Sequence, residues 1–404
     1  MSITHIIFLS PQASNDPRDG HYFTVYESWE KACQKFGINP VVWSAKGRAL
    51  ARGHQVVNYG RDGEWELDLG EAFRHLNGVP AENILAVVYE GTVSALPAVT
   101  ELARRGIKTL FNFLSSHELV QLRLMARGSS RMAVKELTSL AKELEASGTR
   151  FTGDTAVARH LLQLVGFPAY GTFPIFSSIE DRRDFTNSDF DVSILNPNLR
   201  QLLVFSCYLR ASSYRGKRLK SKILSQSELP SLARKALKDT GTEVLIGKYA
   251  GEDYMQAISS KRWVLDSRRV HHIFGSSGQY LDLLANKAQV FSFKYSAMSQ
   301  SASRTLPNGW SSMSPIRHAF RSLKNMEGYE ELQVKTPSES LLAILDPFSE
   351  SEIGKETRIQ GLEIQDSLAT IARTRRSLSF NLIVRVAYRL PRCLFLRIMS
   401  SRAW

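Results

Sequence analysis

The chain has 404 residues, 43% hydrophobic and 23% charged, with a formal net charge of +13. That length exceeds one ordinary core and fits two domains of roughly 150 to 200 residues, and the composition is that of a water-soluble globular protein. Three separated cysteines exclude a CxxC pair and a closed disulfide framework, and no run approaches the ~20 apolar residues of a membrane-spanning helix.

The opening MSITHIIFLSPQASNDPRDG holds a short apolar run with no basic segment before it, which reads as a first β-strand and not as a signal peptide. A helix is expected over YFTVYESWEKACQKFG, where Phe23, Tyr26, Trp29, Ala32 and Cys33 recur at helical spacing and Gly37 supplies the stop. NPVVWSA reads as a second strand. NILAVVYEG (83–91), a helix over VSALPAVTELARRG and the strand IKTLFNFL (107–114) repeat the alternation. A long helical region follows at 130–147, then a strand in TRFTGD and a helix in AVARHLLQLVGFP.

Residues 184–200, DFTNSDFDVSILNPNLR, cluster Asn, Asp, Ser and Pro without a period and read as a break. Beyond it the expected order is strand QLLVFSCYL (201–209), a basic loop, a helix in SELPSLARKALKDTG and strand TEVLIGKY (242–249). A helix in EDYMQAISSKRW, strand RVHHIFG (269–275), helix QYLDLLANK and strand AQVFSF (288–293) complete it. Strands alternating with helices indicate βαβ units and parallel sheets. The expected fold class is therefore α/β, with two Rossmann-like domains facing each other across a cleft. The expected domains are 1–184, 200–345, and a C-terminal region 346–404 of helices and a basic tail.

Ligands in such sheets bind beyond the carboxyl ends of the strands. The loop RASSYRGKRLK after the expected strand 201–209 carries Arg210, Arg215 and Lys217. At a strand end these cations suit a diphosphate, since guanidinium binds two oxygens and lysine adds a point charge; a solvated basic loop is the alternative. The turn Gly275, Ser276, Ser277, Gly278 leads into a helix whose free N–H groups favour phosphate, and Asp282, about a turn further on, can accept from ribose hydroxyls. Many helices carry such a turn and such an acid. Past the strand 107–114, His117 and Glu118 can act as base or orient a hydroxyl, or be ordinary loop residues. Glu90 ends a neighbouring strand on the same expected edge.

Four stretches together resemble the GT-B glycosyltransferases, most of all the retaining, nucleotide-sugar-dependent group of the family 4 kind. They are DGHYFTVYESWEKACQKFGINPVVW, ILAVVYEGTVSALPAVTELARRGIKTLFNFLSSHEL, LVFSCYLRASSYRGKR and FGSSGQYLDLLANKAQVFSF, in that order over roughly residues 1 to 330. The resemblance implies that Arg210 and Lys217 neutralise the donor diphosphate, that Asp282 takes the place of the ribose-binding glutamate and that His117 lies near the reacting sugar. It places Gly20, His21 and Tyr22, with Glu90, on the acceptor side. The family's other donor-side acid falls on Phe274, and its Gly-Gly loop is reduced to Gly20.

The expected function is transfer of a sugar from a nucleoside-diphosphate sugar to a glycan or lipid-linked acceptor in cell-surface polysaccharide synthesis. No cofactor or obligatory metal is expected, because no DxD-type motif stands where it would be needed. A catalytically silent GT-B-like binding module and a basic nucleic-acid-binding protein are the competing readings. Residues 367–404 carry eight arginines and no acid, which leaves +5 for the first 366 residues. Mixed with Leu, Ile, Val, Phe, Tyr and Trp, this tail reads as a membrane-interface segment on anionic lipid. A closing helix on the first domain and a nucleic-acid arm are its alternatives. The expected place is the cytoplasm, peripheral on the inner face of the membrane, with no nucleic acid partner.

Overall fold

A computed structural model describes residues 3–13, 21–47, 53–60, 63–113, 129–153, 165–173, 179–195, 199–214, 216–247, 251–265, 282–283, 285–291 and 335–349, with isolated positions between them. The chain divides into two compact units. The first comprises residues 1–16, 26–175 and 338 onward, and the second 17–25 and 176–337.

The first unit is built on an eight-stranded sheet. Its strands are β1 (His5–Leu9), β2 (Asn39–Ala45), β3 (His54–Tyr59), β4 (Trp65–Leu67), β5 (Ile84–Gly91), β6 (Lys108–Phe113), β7 (Thr149–Gly153) and β8 (Ala169–Thr172). The spatial order is β4-β3-β2-β1-β5-β6-β7-β8, and every pairing is parallel except β3 with β4. Ile6 through Leu9 are all buried, as expected of a parallel strand covered on both faces. Helices α1 (His21–Lys35), α2 (Leu69–Ala72), α3 (Leu96–Arg104) and α4 (Ser129–Ala146) connect the strands. The apolar face expected for α1 is the packed one: Phe8 meets Trp29 with ring centroids 5.0 Å apart and Tyr26 edge-on at 6.4 Å. Gly37, at φ +68°, lets the chain turn out of α1, and the Ile38 amide closes the turn on Cys33 O. Burial pushes the Cys33 thiol up to about 12, so it behaves as a packing residue.

The second unit carries a five-stranded, all-parallel sheet of β9 (Val192–Leu195), β10 (Ser221–Ser225), β11 (Glu243–Ile246), β12 (Arg262–Leu265) and β13 (Gln289–Phe291). Its order, β11-β10-β9-β12-β13, is the Rossmann arrangement of a central first strand with later strands added on either side. Helices α5 (Leu199–Tyr214), α6 (Ser231–Leu237) and α7 (Gly251–Ile258) cover it. Val192, Ile194, Leu202, Phe205, Leu209, Ile223, Ala233 and Leu237 form one buried cluster beneath α5 and α6. The chain then returns to the first unit as α8 (Pro337–Ser349). There Lys35 Nζ donates to Ser338 Oγ at 3.5 Å, Arg150 Nη2 donates to Pro347 O at 2.7 Å, and the Arg150 guanidinium lies 5.1 Å from the Phe348 ring centroid.

The expected α/β class with two Rossmann-like units is present, and β1, α1, β2, β5, α3, β6, α4 and β7 stand where the alternation places them. The second unit corrects three readings. The expected strand 201–209 lies inside α5, because Leu202, Phe205 and Leu209 are buried at spacings of three and four, which only a helix presents to one side. The break at 184–200 contains β9, the central strand of the sheet. Strands β10 and β12 stand where none was expected. The expected strand RVHHIFG (269–275) lies wholly outside the described residues.

Candidate functional site

In a sheet of this order, ligand crevices open at the carboxyl ends of the strands where the winding reverses. In the second unit the reversal lies between β9 and β12, whose carboxyl ends are Leu195 and Leu265. The chain leaving β12 runs into residues 266–281. Gly275, Ser276, Ser277, Gly278 and Phe274 belong to that segment and lie outside the described residues.

Asp282, the expected ribose acceptor, is 1% exposed. Its Oδ2 accepts the Tyr254 hydroxyl at 2.8 Å, and its carbonyl accepts Asn286 Nδ2 at 2.7 Å. Burial, then the neighbouring Asp282 carboxylate, raises the Tyr254 phenol well above its ordinary value, so Tyr254 stays protonated and donating. The position of Asp282 is corrected accordingly: it is an interior carboxylate that fastens α7, not an acid displayed to solvent.

Two further contacts hold α7. Arg183 grips the Glu252 carboxylate with both terminal nitrogens, at 2.8 and 2.5 Å. This pairing raises the guanidinium and lowers the carboxyl from their ordinary values. At the other end, Lys222 on β10 is 2% exposed. Its ammonium donates to Gln256 O at 3.2 Å in the last turn of α7 and lies 4.3 Å from the Phe190 ring centroid. An ammonium there meets carbonyls that lack helical donors. Burial brings its pKa down to about 8, opposed by Glu243. Sequence reasoning missed Lys222; the signal was a lysine in the alternating run SKILS, whose neighbours Ile223 and Leu224 belong inside a sheet.

The cations expected at the diphosphate stand elsewhere. Because α5 joins parallel neighbours β9 and β10, its C-terminus lies at the amino edge of the sheet, opposite to the strands' carboxyl ends. Arg210 is exposed in the last turns of α5, and its Nη2 donates to Ala236 O at 3.1 Å and Lys238 O at 3.0 Å, holding the end of α6. Lys217 lies in the turn just before β10, its amide bonded to Ser212 O. Arg215 is outside the described residues. The diphosphate role rested on a strand ending before Arg210, and that strand is a helix.

In the first unit, winding reverses between β1 and β5. At the end of β1, Ser10 is buried, its amide bonds Trp43 O at 3.0 Å, and its hydroxyl accepts the Gln12 amide at 3.3 Å. At the end of β5 the register shifts: Val88 faces Phe111 and Gly91 faces Phe113, so β5 carries an extra residue in a bulge. Asn112 Nδ2 donates to Tyr89 O at 2.9 Å across it. Glu90 sits in this bulge, at the carboxyl edge expected for it. A Cβ on Gly91 would lie 2.3 Å from Phe111 Cε1 and 2.7 Å from Asn112 O, so only glycine fits. His117 and Glu118 belong to the segment after β6 and lie outside the described residues, as does Gly20; His21 and Tyr22 open α1. Among the described residues no group of three or more His, Cys, Asp or Glu is disposed to hold a metal ion.

The sequence matches no family model and no curated protein. Among solved structures the chain is similar to a putative UDP-N-acetylglucosamine 2-epimerase from Listeria monocytogenes, at 12% identity and a TM-score of 0.47, covering 88% of this chain and 99% of that one. It is also similar to a glycosyltransferase from Rickettsia africae, at 10% identity and 0.45, over 94% and 99% of the two chains. MurG from Acinetobacter baumannii is similar at 11% identity and 0.38, over 92% and 98%.

Proposed function

We propose that the chain is a glycosyltransferase of the GT-B kind, moving a sugar from a nucleoside-diphosphate sugar to a glycan or lipid-linked acceptor. The observation that carries the reading is the architecture: two parallel Rossmann-like units in one chain, with α8 crossing back to complete the first. The donor's nucleotide belongs at the carboxyl ends of β9 and β12. The segment after β12, with Gly275, Ser276, Ser277 and Gly278, offers backbone N–H groups to the phosphates. Asp282, next in the chain after that segment, holds α7 through Tyr254. Glu90, in the bulge near the end of β5, and His117 and Glu118, which come after the neighbouring β6 in the chain, serve the acceptor and the reacting carbon.

In the reaction the bond from the anomeric carbon to the diphosphate oxygen breaks and one to an acceptor hydroxyl oxygen forms. The acceptor's proton passes to a base, and the electron pair leaves with the nucleoside diphosphate. Fixed N–H dipoles stabilise that leaving charge. The test is release of nucleoside diphosphate from a panel of UDP-, GDP- and CDP-sugars, with and without lipid-linked acceptors. Release from one donor that depends on acceptor supports the reading. Binding of a donor without turnover, in every acceptor condition, favours the silent binding module, which Phe274 in place of an acid would explain.

A further inference from the structure

We propose that the amino edge of the second sheet is a docking surface for an anionic lipid bilayer. Three turns meet there: the end of α5, the approach to β10, and the approach to β11 from α6. They carry Arg210, Lys217, Arg218, Lys220, Arg234, Lys235 and Lys238, all exposed. Arg210 ties two of these turns together through its bonds to Ala236 O and Lys238 O. Arg218, on the approach to β10, reaches the same turn before β11, its Nη2 lying 3.5 Å from where a Cβ on Gly241 would be.

The cations are not balanced on this edge. Asp239 and Glu243 are the acids on the same turns, and Asp191 is occupied by Lys261 at 3.1 Å. None of the seven cations enters an ion pair with a described residue. Beside them Tyr214, the last residue of α5, is 95% exposed. A tyrosine among unpaired lysines and arginines matches the lipid headgroup layer, where the ring takes the apolar side and the hydroxyl stays wet. A single-stranded nucleic acid would call for a groove with several stacking rings, and among the described residues this edge offers the Tyr214 ring. Stable anchoring takes two signals, and the arginine-rich, apolar stretch 367–404 is a second in the sequence. No helix among the described residues is long and apolar enough to cross a membrane.

The inference stands apart from the transfer reaction and is read without it. The full chain is sedimented with vesicles of phosphatidylcholine alone and of phosphatidylcholine with phosphatidylglycerol. It is expected to partition onto the anionic vesicles only, and less as salt is added. Combined Lys217→Gln, Arg218→Gln, Lys220→Gln and Lys238→Gln is expected to weaken that partition on the order of 1,000-fold, with Tyr214→Ala weakening it several-fold. Arg210 is left in place because it holds α6, and the pair Lys217→Gln with Lys238→Gln serves if the fourfold variant fails to fold. Equal pelleting of the variants, or equal binding to neutral vesicles, overturns the proposal. Displacement of the chain from vesicles by single-stranded RNA that binds tighter, through the same lysines, overturns the choice of lipid.

Discussion

Tyr254 and Asp282 meet in the interior of the second unit, the phenol donating to Oδ2 across 2.8 Å with both side chains buried. The bond joins α7 to the chain just before β13. Tyr254→Phe leaves a buried carboxylate oxygen without its donor, which costs about 1 to 3 kcal/mol. Urea unfolding with unchanged slope measures it, and the loss in Asp282→Asn is expected to be smaller, since the amide oxygen still accepts. A Phe variant as stable as the parent would mean that solvent reaches the pair.

Lys222 predicts a pH signature. Its folded pKa of about 8 lies below the ordinary 10.5, so between those values the unfolded chain holds more protons and stability rises with pH. Below pH 8 the full cost of burying the ammonium is present. Lys222→Met is therefore expected to be more stable than the parent at neutral pH, by roughly 1 to 3 kcal/mol, with the difference shrinking from pH 8 to 10.5. Comparing the two chains isolates this group from Tyr254, whose raised pKa makes the parent lose stability as pH climbs beyond 10. A pH-independent difference would contradict the account.

Gly91 sits where β5 bulges over Phe111. Gly91→Ala forces a Cβ against the ring and against the Asn112 carbonyl, and overpacking of this kind costs about 1 to 3 kcal/mol. The melting temperature should fall by several degrees, and Asn112→Ala, which removes the amide across the bulge, should fall with it. If the bulge also positions Glu90, both variants lose turnover beyond their loss of folded protein.

Arg150 pins α8 through Pro347 O and Phe348. Arg150→Ala should speed amide exchange over Leu341 to Phe348 at least tenfold, while the second sheet keeps its protection. Unchanged exchange in α8 would show that Leu341, Ile344 and Phe348, all buried, hold the helix without it.

Much of the first unit could be read in advance because its strands are continuous apolar runs, such as His5–Leu9 and Ile84–Gly91, and because Gly37, Gly106 and Gly148 end α1, α3 and α4. The second unit was harder for a physical reason: its strands are short and interrupted by polar residues. β9 is four residues between Asp191 and an Asn-Pro-Asn stretch, and β10 puts Lys222 inside the sheet. The apolar run of α5 has the length of a strand, and its helical period shows only when Leu202, Phe205 and Leu209 are taken together. That one misreading carried Arg210 and Lys217 to the wrong edge of the sheet. The carboxyl-edge position of Glu90 was legible because it depends on chain order alone. The burial of Asp282 was not, because its partner Tyr254 is 28 residues away on another helix.

The central claim is a nucleoside diphosphate bound at the carboxyl ends of β9 and β12, and calorimetric titration of the full chain with UDP, GDP and CDP tests it most directly. The account predicts saturable one-to-one binding of one of them, weakened at least tenfold by Ser276→Pro, which removes an N–H from the turn, and unaffected by Lys217→Gln at the opposite edge. Absence of heat with all three, or binding lost in Lys217→Gln and kept in Ser276→Pro, would contradict it.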